Sequence, residues 1–320
     1  MRFTILLSGL FFIFSFGEII SQTSPDLLSL TEDKDAKPQK EFVFATFKST
    51  RLVNFHTVEV EPKGSLCFRI SHRFGPISSG TYNAWGLDGP ANIRLALEYS
   101  PDGRFMFGLG RTSIQKIVDG FVKYKLVRQS NKFPVTISLF SSAYYTFEKV
   151  NVTVNVPGST TGATQDISKY SNPYDRMSFV NQVMIARKFN GWLSAQLTAS
   201  MVHYNLVDNM TDGNDCYVIG GLARFKYNKR QSICVEYGYR VNKYSATKYY
   251  NSSAIGWEIE TGGHVFQMFF TNSMGMTENK FLMYTDTDWN TNMSTWGVRL
   301  GFNISRSFSL NRKSSDGNSW

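Results

Sequence analysis

The chain has 320 residues, 34 basic and 25 acidic, for a formal net charge of +9, and 15% of it is aromatic, with 26 Phe and 16 Tyr. After the first twenty residues no stretch is apolar enough for a helical membrane span, and the mean hydropathy is −0.24. A strand-built membrane protein is not excluded, because its inward polar rows lower the average. The basic residues form no run and sit on no nucleic-acid motif, so no nucleic-acid partner is expected.

Arg2 followed by the apolar stretch from Ile5 to Phe16 reads as a secretory signal, residues 1–21, cut near Ser21. Residues 22–64 then read as a periplasmic leader and a candidate contact for a periplasmic partner. Its first part is polar after Leu30 and reads as flexible. Residues 41–64 carry Phe42, Phe44 and Phe47, then Arg51 to Val58 in strand-like order with no evident pairing partner. This leaves two placements: an extra hairpin through Glu61-Pro62-Lys63-Gly64, or a plug inside a barrel lumen.

From Ser65 the period-2 pattern predicts about twelve strands, near 65–73, 91–99, 104–111, 117–127, 134–146, 177–189, 192–205, 215–227, 231–240, 253–261, 264–271 and 294–308. Connections alternate between tight and long, with tight turns such as Ser100 to Gly103, Asn190-Gly191 and Gly262-Gly263. Residues 65–310 are therefore expected to form an all-β, antiparallel, up-and-down transmembrane barrel in a bacterial outer membrane, in contact with its lipid, with 311–320 as a polar tail. An even strand count places both ends on the short-turn, periplasmic side.

Alternation assigns two faces. Ile233, Val235, Tyr237 and Tyr239 alternate with Ser232, Cys234, Glu236 and Gly238; Trp296, Val298, Leu300, Phe302 and Ile304 alternate with Arg299, Gly301, Asn303 and Ser305. Tyr99, Phe105, Trp192, Tyr239, Trp296 and Phe308 fall near strand ends on the outward face, as interfacial girdles require. Arg69, Arg73, Arg94, Arg104, Lys123, Lys125, Lys188, Arg224, Lys226, Arg240 and Arg299 take inward parity, opposed by Glu98, Asp119, Glu236, Glu258 and Glu260. The excess of positive charge suggests a path for small anionic solutes. A packed interior, its charges paired across the wall, is the competing reading.

Catalysis has little support. His72 and His203 take outward parity near the long loops, and Ser294 approaches His72 where the barrel would close, a remote likeness to an outer-membrane phospholipase without an ordered third group. His264 and Thr271-Asn272-Ser273 read as rim residues, and His56 has no visible partner. Asp286, Asp288 and Trp289 offer a weak cation or sugar site in the loop 272–292. The three cysteines show no metal spacing; counting from the Asn228–Arg230 turn places Cys234 opposite a residue near Ala223, which disfavours a bridge to Cys216. No enzyme activity, cofactor or metal is expected.

Several segments carry a family resemblance: Arg51-Leu52-Val53-Asn54, Phe68 to Gly75, Asp119 to Leu126, Ile185 to Phe189, Glu260 to Phe266, Phe270 to Ser273 and Gly301 to Arg306. In this order they resemble a domain-of-unknown-function family of β-barrel proteins from Bacteroidota, over about Phe47 to Phe308. The resemblance implies an outer-membrane barrel and no particular activity.

Overall fold

The computed structural model describes residues 41–155, 164–207, 212–242, 248–289 and 297–310. The expected signal peptide, residues 22–40 of the leader, Ser294, Trp296 and the tail lie outside them. The strands are β1 (Ser65–Pro76), β2 (Asn92–Ser100), β3 (Phe105–Thr112), β4 (Ile117–Val127), β5 (Thr136–Thr146), β6 (Asn151–Asn155), β7 (Thr164–Ser168), β8 (Met177–Lys188), β9 (Leu193–Tyr204), β10 (Asp215–Lys226), β11 (Gln231–Arg240), β12 (Ser252–Thr261), β13 (His264–Thr271) and β14 (Arg299–Ser309). Twelve of them close into a barrel of neighbouring antiparallel strands, β14 pairing back onto β1 with Ser65 opposite Ser309. β6 and β7 form a separate hairpin within the long β5–β8 connection. Closure leaves the barrel without an unpaired edge, as a wall in hydrocarbon requires.

The period-2 pattern becomes two surfaces. Along β11, Ile233, Val235, Tyr237 and Tyr239 are exposed while Ser232, Cys234, Glu236, Gly238 and Arg240 are buried. Leu95, Leu97, Leu109, Val183, Ile185, Leu197, Ile219, Ile255 and Phe270 continue the exposed apolar belt around the barrel. A polar pair interrupts it: Ser141 on β5 faces Asn181 on β8, and its hydroxyl donates to the Asn181 Oδ1 at 2.8 Å. The two groups satisfy each other where lipid offers no partner.

The rims differ as the sequence pattern anticipates. At the tight β2–β3 turn the Asp102 carboxylate accepts from the Arg104 and Phe105 N–H groups, and these bonds hold its pKa below the usual range. Gly103 adopts a φ of +79° there, a conformation that costs glycine nothing. On the opposite rim the β13–β14 connection folds a single helical turn, α1 (Glu278–Met283), into the barrel mouth, with Glu278, Asn279, Phe281, Leu282 and Met283 all buried.

The segment before β1 lies inside the barrel. Residues 41–43 run along the β4–β5 turn, with Val43 N–H donating to Gln129 and Asn131 N–H to Glu41. The chain then enters the lumen and reverses: Leu52 N–H donates to Phe55 O at 3.0 Å and Thr57 N–H to Thr50 O at 2.9 Å, leaving Val53-Asn54 as the tip. Phe47, Leu52, Val53, Phe55 and Val58 join the inward residues Met106, Phe121, Phe140, Met184 and Phe269 in one apolar cluster with Phe281 of α1. Phe55 and Phe281 meet edge to face at 4.9 Å, so the hairpin and α1, entering from opposite rims, touch inside the barrel. Burying Phe55 stabilises this arrangement by about 1.5–3 kcal/mol.

Two glycines make room for that ring. A Cβ at Gly220 on β10 would lie 2.6 Å from Phe55 Cε1, and one at Gly238 on β11 would lie 3.0 Å from its Cζ. Gly220→Val is therefore expected to displace the hairpin while leaving the twelve-strand wall intact. Trypsin cleavage after Arg51 should appear in the variant and not in the parent, while both keep the heat-dependent gel mobility of a folded barrel.

Candidate functional site

The inner wall and the hairpin form one polar network, and most of the predicted lumen residues belong to it. Arg69 on β1 donates from Nε to Glu98 on β2 at 3.2 Å and from Nη2 to the hydroxyls of Ser49 and Thr50, at 3.1 and 2.7 Å. The Thr50 hydroxyl in turn donates a hydrogen bond to the other Glu98 oxygen at 2.5 Å. Arg73 donates to Asn54 Oδ1 at 2.8 Å and to Asn303 Oδ1 at 3.2 Å, with its guanidinium 4.2 Å over the Phe269 ring. Arg94 forms a two-pronged pair with Asp119 at 3.1 and 2.5 Å, and Arg224 pairs with Glu258 at 2.8 Å.

Two wall residues hold hairpin backbone. The Lys123 ammonium donates to the carbonyls of Thr50, Thr57 and Glu59 at 3.1, 3.0 and 2.9 Å. The Glu236 carboxylate accepts from the N–H groups of Val53, Asn54 and Phe55 and, at 2.6 Å, from the Asn54 amide. A turn tip exposes such N–H groups to whatever faces it, and a buried carboxylate is the strongest acceptor available. Both residues are essentially inaccessible, Lys123 at 0% and Glu236 at 1%.

The remaining predicted residues sit nearer the rims. Lys125 pairs with Glu59 at 2.6 Å, Glu260 with Lys48 at 2.7 Å, and the half-buried Lys188 donates to Phe44 O at 3.0 Å. Lys226 is half-buried at the end of β10. Arg299 lies 4.0 Å from Asp286 at the long-loop mouth, and Arg240 bonds the carbonyls of Met283 and Tyr249. Arg104 stands one residue before β3, in the exposed β2–β3 turn.

Sequence reasoning did not single out the contact between hairpin and helix. Glu278 of α1 pairs with Arg51 at 2.6 Å, lies 3.5 Å from His56 Nε2, and accepts from the Tyr144 hydroxyl at 2.6 Å. Charged residues embedded in the apolar pattern 47–58 were the available signal for Arg51 and His56. Nothing in the local sequence marks Glu278, because its partners come from the other end of the chain.

The other candidates separate. His72 stacks on Phe302, ring centroids 5.1 Å apart and nearly parallel, within the outer belt. His203, on β9, has Nδ1 2.7 Å from Asp215 Oδ1 across the β9–β10 pair. β1 and β9 are not neighbours in the barrel. The three cysteines are buried, and Cys234 faces Arg224, next to Ala223 as the count from the turn predicts.

An apolar belt outside and a buried polar wall inside a closed antiparallel barrel define a membrane-spanning β-barrel. The chain belongs to the family described as "Membrane bound beta barrel domain (DUF5777)", whose model matches residues 47–308. That match starts inside the hairpin, so hairpin and barrel are one family unit. A sequence search of proteins with curated function found no match. Among solved structures, the chain is similar to the NanC porin, with 10% identity, 77% of this chain and 100% of that chain covered, and a TM-score of 0.45. The KdgM porin gives 11%, 76%, 99% and 0.44, and the outer membrane protein Omp33 of Acinetobacter baumannii 8%, 77%, 99% and 0.39.

Removing Arg51 alone leaves Glu278 as a buried charge without its cation, which costs about 3–5 kcal/mol. Arg51→Leu is expected to destabilise the folded barrel by that order, and the double variant Arg51→Leu, Glu278→Leu by much less. Urea unfolding in detergent micelles, run as a double-mutant cycle, measures the difference.

Proposed function

We propose that this protein is an outer-membrane channel held shut at rest by its own N-terminal hairpin, and that hairpin withdrawal opens a path for small anionic solutes. The observation that supports it most is the polar character of the hairpin's anchorage. Lys123 and Glu236 hold hairpin backbone groups, and Arg69 and Arg73 hold its side chains. Water can replace each of these bonds, so a wall vacated by the hairpin is hydrated and keeps its shape. An apolar seam would instead resist wetting.

The vacated wall keeps a positive balance. Arg94–Asp119 and Arg224–Glu258 neutralise one another in pairs, and Glu98 answers Arg69. Arg73, Lys123, Lys125, Lys188 and Lys226 then stand against three carboxylates, Glu236, Glu260 and Glu278 of α1, because Glu59, Lys48 and Arg51 leave with the hairpin. A narrow passage with this excess concentrates anions. The segment 22–64, proposed as a periplasmic contact, contains the hairpin, so a partner holding it acts directly on the gate.

Planar-bilayer recording tests the reading. The parent protein should stay closed, whereas Gly220→Val and Glu236→Ala should carry current whose reversal potential in a salt gradient shows anion preference. Cation preference would sink the solute assignment. Absence of current from folded, bilayer-inserted Gly220→Val would sink the gate.

A further inference from the structure

The short-turn rim carries cations that the protein itself does not answer. Arg104 stands in the β2–β3 turn, Arg128 and Lys132 in the β4–β5 turn, and Lys229 and Arg230 in the β10–β11 turn. Lys63 precedes β1, and Arg187 and Arg306 lie near the ends of β8 and β14. All are exposed or half-buried, and among the described residues none of them forms an ion pair. The acids of the rim are otherwise engaged. Asp102 accepts from two N–H groups of its own turn, Glu61 is buried against the Ser307 hydroxyl, and Glu59 and Glu260 are paired with Lys125 and Lys48. Among the described residues that leaves Glu41 to face the whole set. The flanking segments 22–40 and 311–320 hold five acids and five bases, so they add no net charge.

Where two of these cations stand on the wall indicates what they meet. Along β8 the outward row runs Val183, Ile185, Arg187 and then Phe189; along β14 it runs Phe302, Ile304, Arg306 and then Phe308. Each guanidinium lies against the ring beyond it, 5.4 Å from the Phe189 centroid and 4.8 Å from that of Phe308. Arg128 is held in the same way, 4.6 Å over the exposed Phe42 ring. Exposed aromatic rings at strand ends mark the boundary between hydrocarbon and headgroups. A guanidinium set between the last isoleucine of the belt and such a ring is at the depth of lipid phosphate, whose oxygens its planar fork matches. An acidic macromolecule approaching along the barrel axis would reach the turns, but Arg187 and Arg306 stand on the lipid-facing wall.

We propose that this rim binds anionic phospholipids. Arg187 and Arg306, steadied by Phe189 and Phe308, take lipid phosphates, while the turn cations Arg104, Arg128, Lys229 and Arg230 draw in headgroups of net negative charge. A zwitterionic headgroup brings its own cation beside the phosphate and gains little from such a field. The surface is independent of the gate, and its test reads bound lipid and not current.

The full chain, folded in non-ionic detergent, is titrated with phosphatidylglycerol and, in parallel, with phosphatidylcholine of the same acyl chains, and retained lipid is read by native mass spectrometry. Phosphatidylglycerol is expected to bind at least about fivefold more tightly. Arg187→Gln combined with Arg306→Gln should bring that ratio below about twofold with the gel mobility of the folded barrel kept. Lys229→Gln combined with Arg230→Gln, confined to a turn, should lower the ratio without touching a strand. Lys169→Gln, on the opposite rim, should leave it unchanged. Inorganic phosphate should displace the lipid no better than chloride at equal ionic strength, which separates a lipid surface from a site for the free anion. Equal binding of the two lipids, a ratio unchanged in the folded Arg187, Arg306 variant or in the turn variant, or displacement specific to inorganic phosphate would overturn the proposal.

Discussion

The structure depends on satisfying the charge that the barrel turns inward. In a low-dielectric interior an unpaired ion or a bare backbone N–H is far more costly than in water, so every such group needs a partner at bonding distance. The wall pairs some of its own charges, Arg94 with Asp119 and Arg224 with Glu258. Lys123 on β4 and Glu236 on β11 instead bond the hairpin, one through three carbonyls and the other through three N–H groups. Wall and hairpin thus complete each other.

Around this exchange the remaining features fall into place. Glycines at 220 and 238 clear space for Phe55, and α1 brings Glu278 to Arg51 and His56 from the opposite rim. The two insertions therefore meet through apolar packing, Phe55 against Phe281, and through ionic contact, Glu278 with Arg51 and His56. The same α1 contributes Glu278 to the hairpin contact and Asn279 and Lys280 to the lining of a cavity.

The charged rows of β1, β2, β4, β10, β11 and β12 were legible because strand geometry is a strict period of two: once Ile233 and Val235 face lipid, Cys234 and Glu236 face inward. Parity has meaning only within a strand, and Arg104 stands one residue before its strand starts at Phe105. Counting from the turn places Cys234 opposite a residue near Ala223, and the register sets it opposite Arg224.

By itself the sequence determined the barrel: alternation, turn lengths and strand number are local properties, set by backbone sterics and by which side chains tolerate lipid. It also determined which charges face inward. Only the tertiary structure decided what those charges meet. The hairpin at 47–58 and the helix at 278–283 are separated by more than two hundred residues, and no local pattern encodes that Arg51 will find Glu278 or that Glu236 will receive the backbone of Val53 to Phe55. Burial inside a closed wall forces those pairings, because a charge enclosed there has no water to turn to.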